Sequence, residues 1–397
     1  MPNRILFLTL KVFSATGGIE KVSRMAGKAL YDEAGEKGAA LRVFSLHDRD
    51  GEVQEKYFPA PVFRGFGGRR VAFVLRSIRE GRGAALVLLS HVNLLSVGYA
   101  IKKTSPGTKL VLLGHGIEVW DPVPAWKRRM LRSCDQVLPV SEFTSRKMQE
   151  LYGLEEEKMR VLNNGLDPHL PPPVAKGSVR LREKYGLATD ARVLLTLTRL
   201  SEKDWYKGYD DVIMALRSLK KGGPSLRYLL LGKYDEDEKA RLDRLIAQQG
   251  LQGEVIFTGF VPDEELAEHF SIADIYVMPS RKEGFGIVFI EALYYGLPVI
   301  AGRVDGSVDA LDGGKLGALV NPDDPGEIRE ALRLALRKGK AAVPGLETVL
   351  GRFGFPVYKR ALWKAIEPFL QPGEKKKQVP WTRRQELVEK VVEKNGF

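Results

Sequence analysis

Two glutamates, Glu283 and Glu291, bracket the run Glu283-Gly284-Phe285-Gly286-Ile287-Val288-Phe289-Ile290-Glu291. A buried-strand pattern, Ile275 to Ser280, leads into a polar turn with two glycines. An apolar stretch follows that reads as a helix through Ala292, Leu293 and Tyr294. One carboxylate therefore sits in the strand-to-helix turn. The other sits about two helical turns deeper on roughly the same face. Between them lies a helix N-terminus whose free N–H groups favour an anion. Carboxylates accept hydrogen bonds from hydroxyls, and amides hold phosphate oxygens. A ligand carrying both hydroxyls and phosphate, such as a nucleotide-sugar, suits the pattern. A Gly-rich turn that merely opens a helix is the plain alternative. Against it, Glu291 stands among Val288, Phe289, Ile290, Ala292 and Leu293. A glutamate is rarely buried without a partner, so its place there implies a ligand or an ion pair.

Other residues could join this site. Arg199 directly follows the apolar run Val193 to Thr198, and Lys207 precedes Gly208 and a helical pattern. A guanidinium fork and an ammonium both suit a diphosphate. Lys203 competes for the same role from the same loop. Gly17-Gly18 follows the first strand pattern and precedes a helix. Paired glycines allow close backbone approach to a ligand, and a plain turn would read the same way. No Gly-x-Gly-x-x-Gly accompanies them, which disfavours a nicotinamide cofactor. His115 lies between Gly114 and Gly116 at the end of a strand pattern, where it is accessible. The acidic groups Asp48-Arg49-Asp50 and Asp235-Glu236-Asp237 read as solvated loops rather than metal ligands.

The elements that must position these residues alternate. Strand patterns are predicted at 5–10, 41–46, 85–90, 109–113, 136–140 and 160–162. They resume at 193–198, 227–231, 255–258, 275–278 and 298–301, with helical patterns between. Alternation of this kind implies parallel sheets covered on both faces. The break falls near Leu170-Pro171-Pro172-Pro173, which cannot continue a helix or a central strand. The expectation is an α/β protein of two doubly wound, Rossmann-like domains facing a cleft, with ligands at the carboxyl ends of the strands. Its units are residues 1–170, residues 171–355, and helices over 356–397 that cross back to the first domain. The tail carries Lys375-Lys376-Lys377.

Composition narrows the classes. The chain has 397 residues, enough for two domains, and 44% hydrophobic and 28% charged residues, as in globular proteins. One cysteine, Cys134, excludes an internal disulfide and fits a reducing compartment. The apolar part of the N-terminus is too short for a signal peptide. The uncharged run 84–101 splits into a strand and a helix rather than a membrane span. These features point to the cytoplasm. A formal charge of +12 points to an anionic partner. Nucleic acid is disfavoured, since the chain lacks any aromatic RNA-binding signature, zinc finger or heptad repeat.

With these pieces in place, the chain resembles the retaining glycosyltransferases of the GT-B fold, family 4, also called glycosyl transferases group 1. The resemblance is carried by residues 273–280, by Glu283-Gly284-Phe285-Gly286 through Glu291-Ala292, and by Gly296-Leu297-Pro298-Val299-Ile300-Ala301. Asn164-Gly165, Thr258-Gly259-Phe260, Asn321-Pro322, Gly17-Gly18, His115 and Ser141-Glu142-Phe143 also fit. It implies that Arg199 and Lys207 hold a diphosphate and Glu291 the ribose hydroxyls. It implies that Glu283, Gly284, Phe285, Gly286 and Ile287 hold the donor sugar and distal phosphate. Gly17 and Gly18 would close on the phosphates, and His115 would face the reaction centre. The chain departs from the pattern at Thr198, where Gly is usual, and at Asp309, where Glu is common. Gly232-Lys233-Tyr234 replaces the usual Gly-acid-Gly, and the loop from Arg199 to Lys207 is long.

The activity so implied is retaining sugar transfer from a nucleotide-sugar co-substrate to a glycan or lipid-linked acceptor, by front-face attack, with no metal and no other cofactor. Rival readings are an epimerase or phosphorylase of the same architecture, or a non-catalytic binding protein. A last expectation concerns an anionic membrane at the inner face of the cytoplasmic membrane. Arg64, Arg69, Arg70, Arg76, Arg79 and Arg82, and Lys127, Arg128, Arg129 and Arg132, form two basic segments. The first is interleaved with Phe66, Val71, Phe73, Val74, Leu75 and Ile78, the second with Trp126, Met130 and Leu131. Both read as membrane-surface segments; apolar residues in the core under a solvated cationic face, or a site for a phosphorylated soluble acceptor, would read the same way.

Overall fold

The computed structural model describes residues 3–370 apart from 175–176 and 221–224. Two six-stranded sheets carry the chain, and every ladder in them is parallel. The first comprises β1 (Arg4–Thr9), β2 (Ala40–Ser45), β3 (Phe63–Gly65), β4 (Leu86–Leu89), β5 (Lys109–Gly114) and β6 (Gln136–Pro139). Its spatial order is β3-β2-β1-β4-β5-β6. The second comprises β7 (Arg192–Leu197), β8 (Leu226–Leu231), β9 (Val255–Gly259), β10 (Ile275–Met278), β11 (Val299–Gly302) and β12 (Ala318–Val320). Its order is β12-β11-β10-β7-β8-β9. Both sheets thus reverse direction once, between β1 and β4 and between β7 and β10. Such a switch point opens a crevice at the carboxyl ends of the strands, because the following helices leave to opposite faces.

The central strands β1, β4 and β10 are buried along almost their whole length. Buried apolar side chains cover both faces of each sheet. This is the Rossmann-like two-domain α/β architecture expected from the alternating pattern. The helix Phe355–Ile366 returns to the first domain. It packs on α1 (Gly18–Glu36), with Tyr358, Leu362 and Ile366 in that domain's core and Lys359 3.3 Å from Glu33. Residues 371–397, including Lys375-Lys376-Lys377, lie outside the described residues.

Three strand expectations need correction. Residues 160–162 do not form a strand. Met159 makes a single bridge to Val137, and Leu162 N–H donates to Pro139 O. Pro139 has no N–H to return, so the ladder stops there. Conversely, β3 and β12 were not expected. Each has only three residues, too few to display a period.

The basic segments also differ from their linear reading. α2 (Arg70–Gly81) turns Phe73 inward, where it meets Phe66, and exposes Val71 and Leu75 at 74% and 64%. In the helix Ala125–Arg132, Leu131 is buried and Trp126 is 58% exposed. The apolar residues of both segments therefore divide between core and surface. No described helix is long and apolar enough to cross a membrane.

Candidate functional site

The carboxyl ends of both switch points open into one cavity of about 510 Å³ between the domains. Two helix N-termini enter it from opposite sides. α1 contributes Gly17, Gly18 and Ile19, and the helix Ile287–Tyr294 contributes Gly286, Ile287 and Val288. Their unpaired amides and aligned peptide dipoles make the cavity receptive to an anion. His115, Arg199, Lys207, Glu283, Phe285 and Glu291 line the same space. The residues singled out in the sequence thus converge, although they span both domains.

Lys203 does not join them. It is exposed in the short helix Glu202–Lys207, whereas Lys207 reaches the cavity and pairs with Glu283 Oε2. Lys207 is fixed because Gly208 behind it adopts φ +77° and lies against Pro279. Arg199 also lines the cavity but is looser. Its side chain is 64% exposed and its Nε donates to Asp204 Oδ2 at 2.7 Å.

The domains meet closely at Gly284. A Cβ there would lie 1.9 Å from the His115 carbonyl oxygen, so only glycine permits this approach. His115 Nε2 lies 2.6 Å from Ser90 O. A carbonyl can only accept, so Nε2 carries a proton; in the neutral ring Nδ1 would then be the acceptor. That Nδ1 is buried and has no hydrogen-bond partner among the described residues. Neighbouring His91 is pushed down to about 4 by burial, a shift that Glu118 opposes and the charges of His115 and Lys127 reinforce. It is neutral at physiological pH.

Glu291 has the partner that its apolar setting demands. Lys21, in the first turn of α1, places Nζ 2.8 Å from Glu291 Oε1 and 3.7 Å from Asp263 Oδ1. Burial works against the Lys21 charge, but the two carboxylates outweigh it and raise its pKa above the ordinary value. Lys21 escaped the sequence reading. One signal was available: a cation in the first helical turn opposes the dipole and calls for a reason. Phe260, Asp263 and Asn164 also line the cavity and were not assigned a contact. Asn164 is buried, and its Oδ1 has no partner among the described residues.

Asp48 corrects the reading of its segment as a solvated loop. It is wholly buried, and its carboxylate accepts from the N–H groups of Val12, Phe13 and Ser14 at 2.6, 3.1 and 2.7 Å and from Ser45 Oγ. Burial opposes its ionisation, yet these hydrogen bonds hold its pKa below the usual carboxylate value. Asp48 thereby shapes the loop that delivers Gly17 and Gly18. Asp235, Glu236 and Asp237 are exposed at the start of the helix Glu236–Gln249. Among the described residues, no group of three or more His, Cys, Asp or Glu is placed to hold a metal ion.

The chain is similar to known proteins. The family described as Glycosyl transferases group 1 matches residues 179–343, and Glycosyltransferase Family 4 matches residues 16–170. A GDP-mannose-dependent alpha-(1-6)-phosphatidylinositol monomannoside mannosyltransferase of Mycolicibacterium smegmatis is 33% identical over 235 residues, 56% of this chain and 60% of that protein. A D-inositol 3-phosphate glycosyltransferase of Acidothermus cellulolyticus is 30% identical over 243 residues, 58% of this chain and 52% of that protein. The chain thus spans little more than half the length of these curated relatives. Among solved structures, Anabaena HepE in complex with UDP and glucose superposes with a TM-score of 0.74 at 22% identity. The match covers 92% of this chain and 100% of that one. That likeness concerns the fold.

Proposed function

Since the chain belongs to the glycosyltransferases of the group 1, family 4 type, we propose that it transfers a sugar from a nucleotide-sugar to an acceptor with retention at the anomeric carbon. One observation carries this reading. Two helix N-termini, Arg199 and Lys207 converge on a cavity that also holds the carboxylates Glu283 and Glu291. Breaking a sugar–phosphate bond leaves charge on the diphosphate. Preorganised donors and cations stabilise that charge more in the transition state than in the ground state. In this reading Glu291 accepts from the ribose hydroxyls, and Glu283 and the amides of Phe285 to Ile287 hold the sugar and distal phosphate. Gly17 and Gly18 close from the other domain. The acceptor attacks from the face the leaving group departs, and a phosphate oxygen takes its proton. His115, with Nε2 committed to Ser90, lines the cavity and faces the reaction centre beside Gly284. Arg199 and Lys207 supply the charge that a metal supplies elsewhere. A GDP- or UDP-linked hexose is the donor class, in line with the GDP-mannose-dependent relative and the UDP and glucose in HepE.

The direct test is transfer itself. The protein is incubated with UDP- and GDP-hexoses plus inositol phosphate or phosphatidylinositol acceptors, and the anomeric configuration of the product is read by NMR. Acceptor-dependent release of nucleoside diphosphate with retained configuration, at an unchanged rate in EDTA, is expected. Donor epimerised without acceptor, or sugar phosphate formed from added phosphate, would replace this reading. A rate abolished by EDTA and restored by magnesium or manganese would remove its metal-independent part.

We further propose that a lipid-linked acceptor is met on an anionic bilayer. α2 and the helix Ala125–Arg132 flank the helix Leu95–Thr104 on one face of the first sheet. Together they display Val71, Leu75 and Trp126 beside exposed Arg70, Arg79, Arg82 and Arg129. Each cation near an anionic leaflet contributes about 1 kcal/mol, so several hold a protein reversibly. Co-sedimentation with vesicles rich in anionic lipid at low salt is the check. Binding should drop on changing Arg70, Arg79 and Arg82 to Glu, and on changing Val71 and Leu75 to Ser. Equal sedimentation of wild type and both variants would contradict it.

A further inference from the structure

The pair Lys21–Glu291 joins the two domains across the cavity, and it belongs to a larger set of charges. Lys21 and Arg24 stand three residues apart on α1, which puts them on one face. Opposite them are Glu291 on the helix Ile287–Tyr294 and Asp263 at the start of the short helix Asp263–Glu265 that follows β9. Arg24 Nη2 lies 3.8 Å from Asp263 Oδ2, while its Nη1 donates to the carbonyls of Val12 and Ala15 at 3.0 and 3.2 Å. Arg24 thus ties this network to the loop that leads to Gly17. The side chain of Glu291 is only 3% exposed. An ionised carboxylate in such a place is costly unless paired. Its partner comes from the other domain, so the pair requires the two domains to meet as they do here.

We propose that Lys21 is a positioning residue that orients Glu291 on domain closure, so that a ribose diol is recognised only by the closed clamp. The inference rests on the proposed role of Glu291 toward ribose. Lys21 holds Oε1 and fixes the plane of the carboxylate, which leaves Oε2 to accept from the diol. In the open form Glu291 loses its counter-charge, and ribose recognition weakens with it. Closing the domains and reading the sugar of the nucleotide are then one event, and a nucleotide lacking the diol gains little from closure.

The test compares UDP and GDP with their 2′,3′-dideoxy forms by calorimetry on the full chain. Wild type should prefer the ribo form by about tenfold or more, the size expected for hydrogen bonds to a charged group. Lys21→Met should reduce that preference to about threefold or less, and Lys21→Arg, which keeps the charge, should restore most of it. A merely structural lysine would weaken both nucleotides equally and leave the preference intact, which would overturn the proposal. A wild type that binds nucleotide without preferring the ribo form would refute the ribose role of Glu291 instead. A wild type that binds no nucleotide would refute the donor site as a whole. Small-angle scattering without ligand gives a readout independent of nucleotide. Lys21→Met should have a larger radius of gyration than wild type, and identical values would contradict the clamp. Melting curves confirm that each variant is folded, and Lys21→Gln stands in if the Met variant is not.

Discussion

Lys207→Ala should lower sugar transfer by about 10²–10³-fold in kcat/KM, the usual cost of removing one preorganised donor from a developing anion. Two effects add. The diphosphate loses a cation held in place by Gly208 and the wall of the cavity. Glu283, whose side chain is 18% exposed, also loses its ion-pair partner and becomes a negative charge beside the leaving group. The second effect makes the loss larger than for an exposed cation. Arg199→Ala should cost less in folding, since Arg199 is mostly solvated and its Asp204 partner keeps Ser201 and Tyr206 as donors. Lys203→Ala is the control. Lys203 is exposed and away from the cavity, and exposed substitutions of this kind stay within about 0.5 kcal/mol. Steady-state kinetics of the three variants decide. A Lys203 effect as large as that of Lys207 would move the diphosphate to the other end of the loop.

The two Lys positions also show what a linear reading resolves. The sequence left both open because both are cations in one loop. Three-dimensional structure separates them through the short helix Glu202–Lys207, which turns one outward and the other to the cavity. The buried parallel strands were legible because each is a compact apolar run bounded by polar residues. β3 and β12 were not, since three residues at a sheet edge carry no period. Glu283 and Glu291 were legible because a carboxylate beside glycines, and another in an apolar helix, both break a local rule. Asp48 breaks no such rule. Its flanks are polar, and its burial follows from amides of residues 12–14 that fold over it from another loop. Lys21 is harder still. It meets Glu291 from 270 residues away, on a different domain; a cation in a first helical turn signals that some partner exists but not which one. The outer face of α2 was half legible. Interleaved cations and apolar groups were visible, but only packing shows that Phe73 serves the core and Leu75 the surface.

Glu291→Ala should weaken nucleotide binding by about 10–100-fold, whereas Lys207→Ala should chiefly lower turnover. The estimate follows from hydrogen bonds to a charged group, worth about 1.5–3 kcal/mol, at about 1.4 kcal/mol per tenfold. Removing the carboxylate also leaves Lys21 with Asp263 alone, at 3.7 Å and 41% exposed, as its counter-charge. Since the acid is buried among Phe289, Ile290, Ala292 and Leu293, the variant exchanges a charged group for an apolar one in apolar surroundings. Fold stability should therefore fall less than affinity, because replacing a buried ion-pair member is costly mainly through the partner it strands, and Lys21 retains access to the cavity. Glu291→Gln sharpens the test. It keeps the shape and one acceptor oxygen but loses the charge, so its affinity should fall between wild type and the Ala variant. Titration of UDP and GDP into all three proteins, with melting curves alongside, measures both quantities. Nucleotide affinity unchanged in Glu291→Ala, in a protein that melts normally, would show that the ribose is held elsewhere in the cleft.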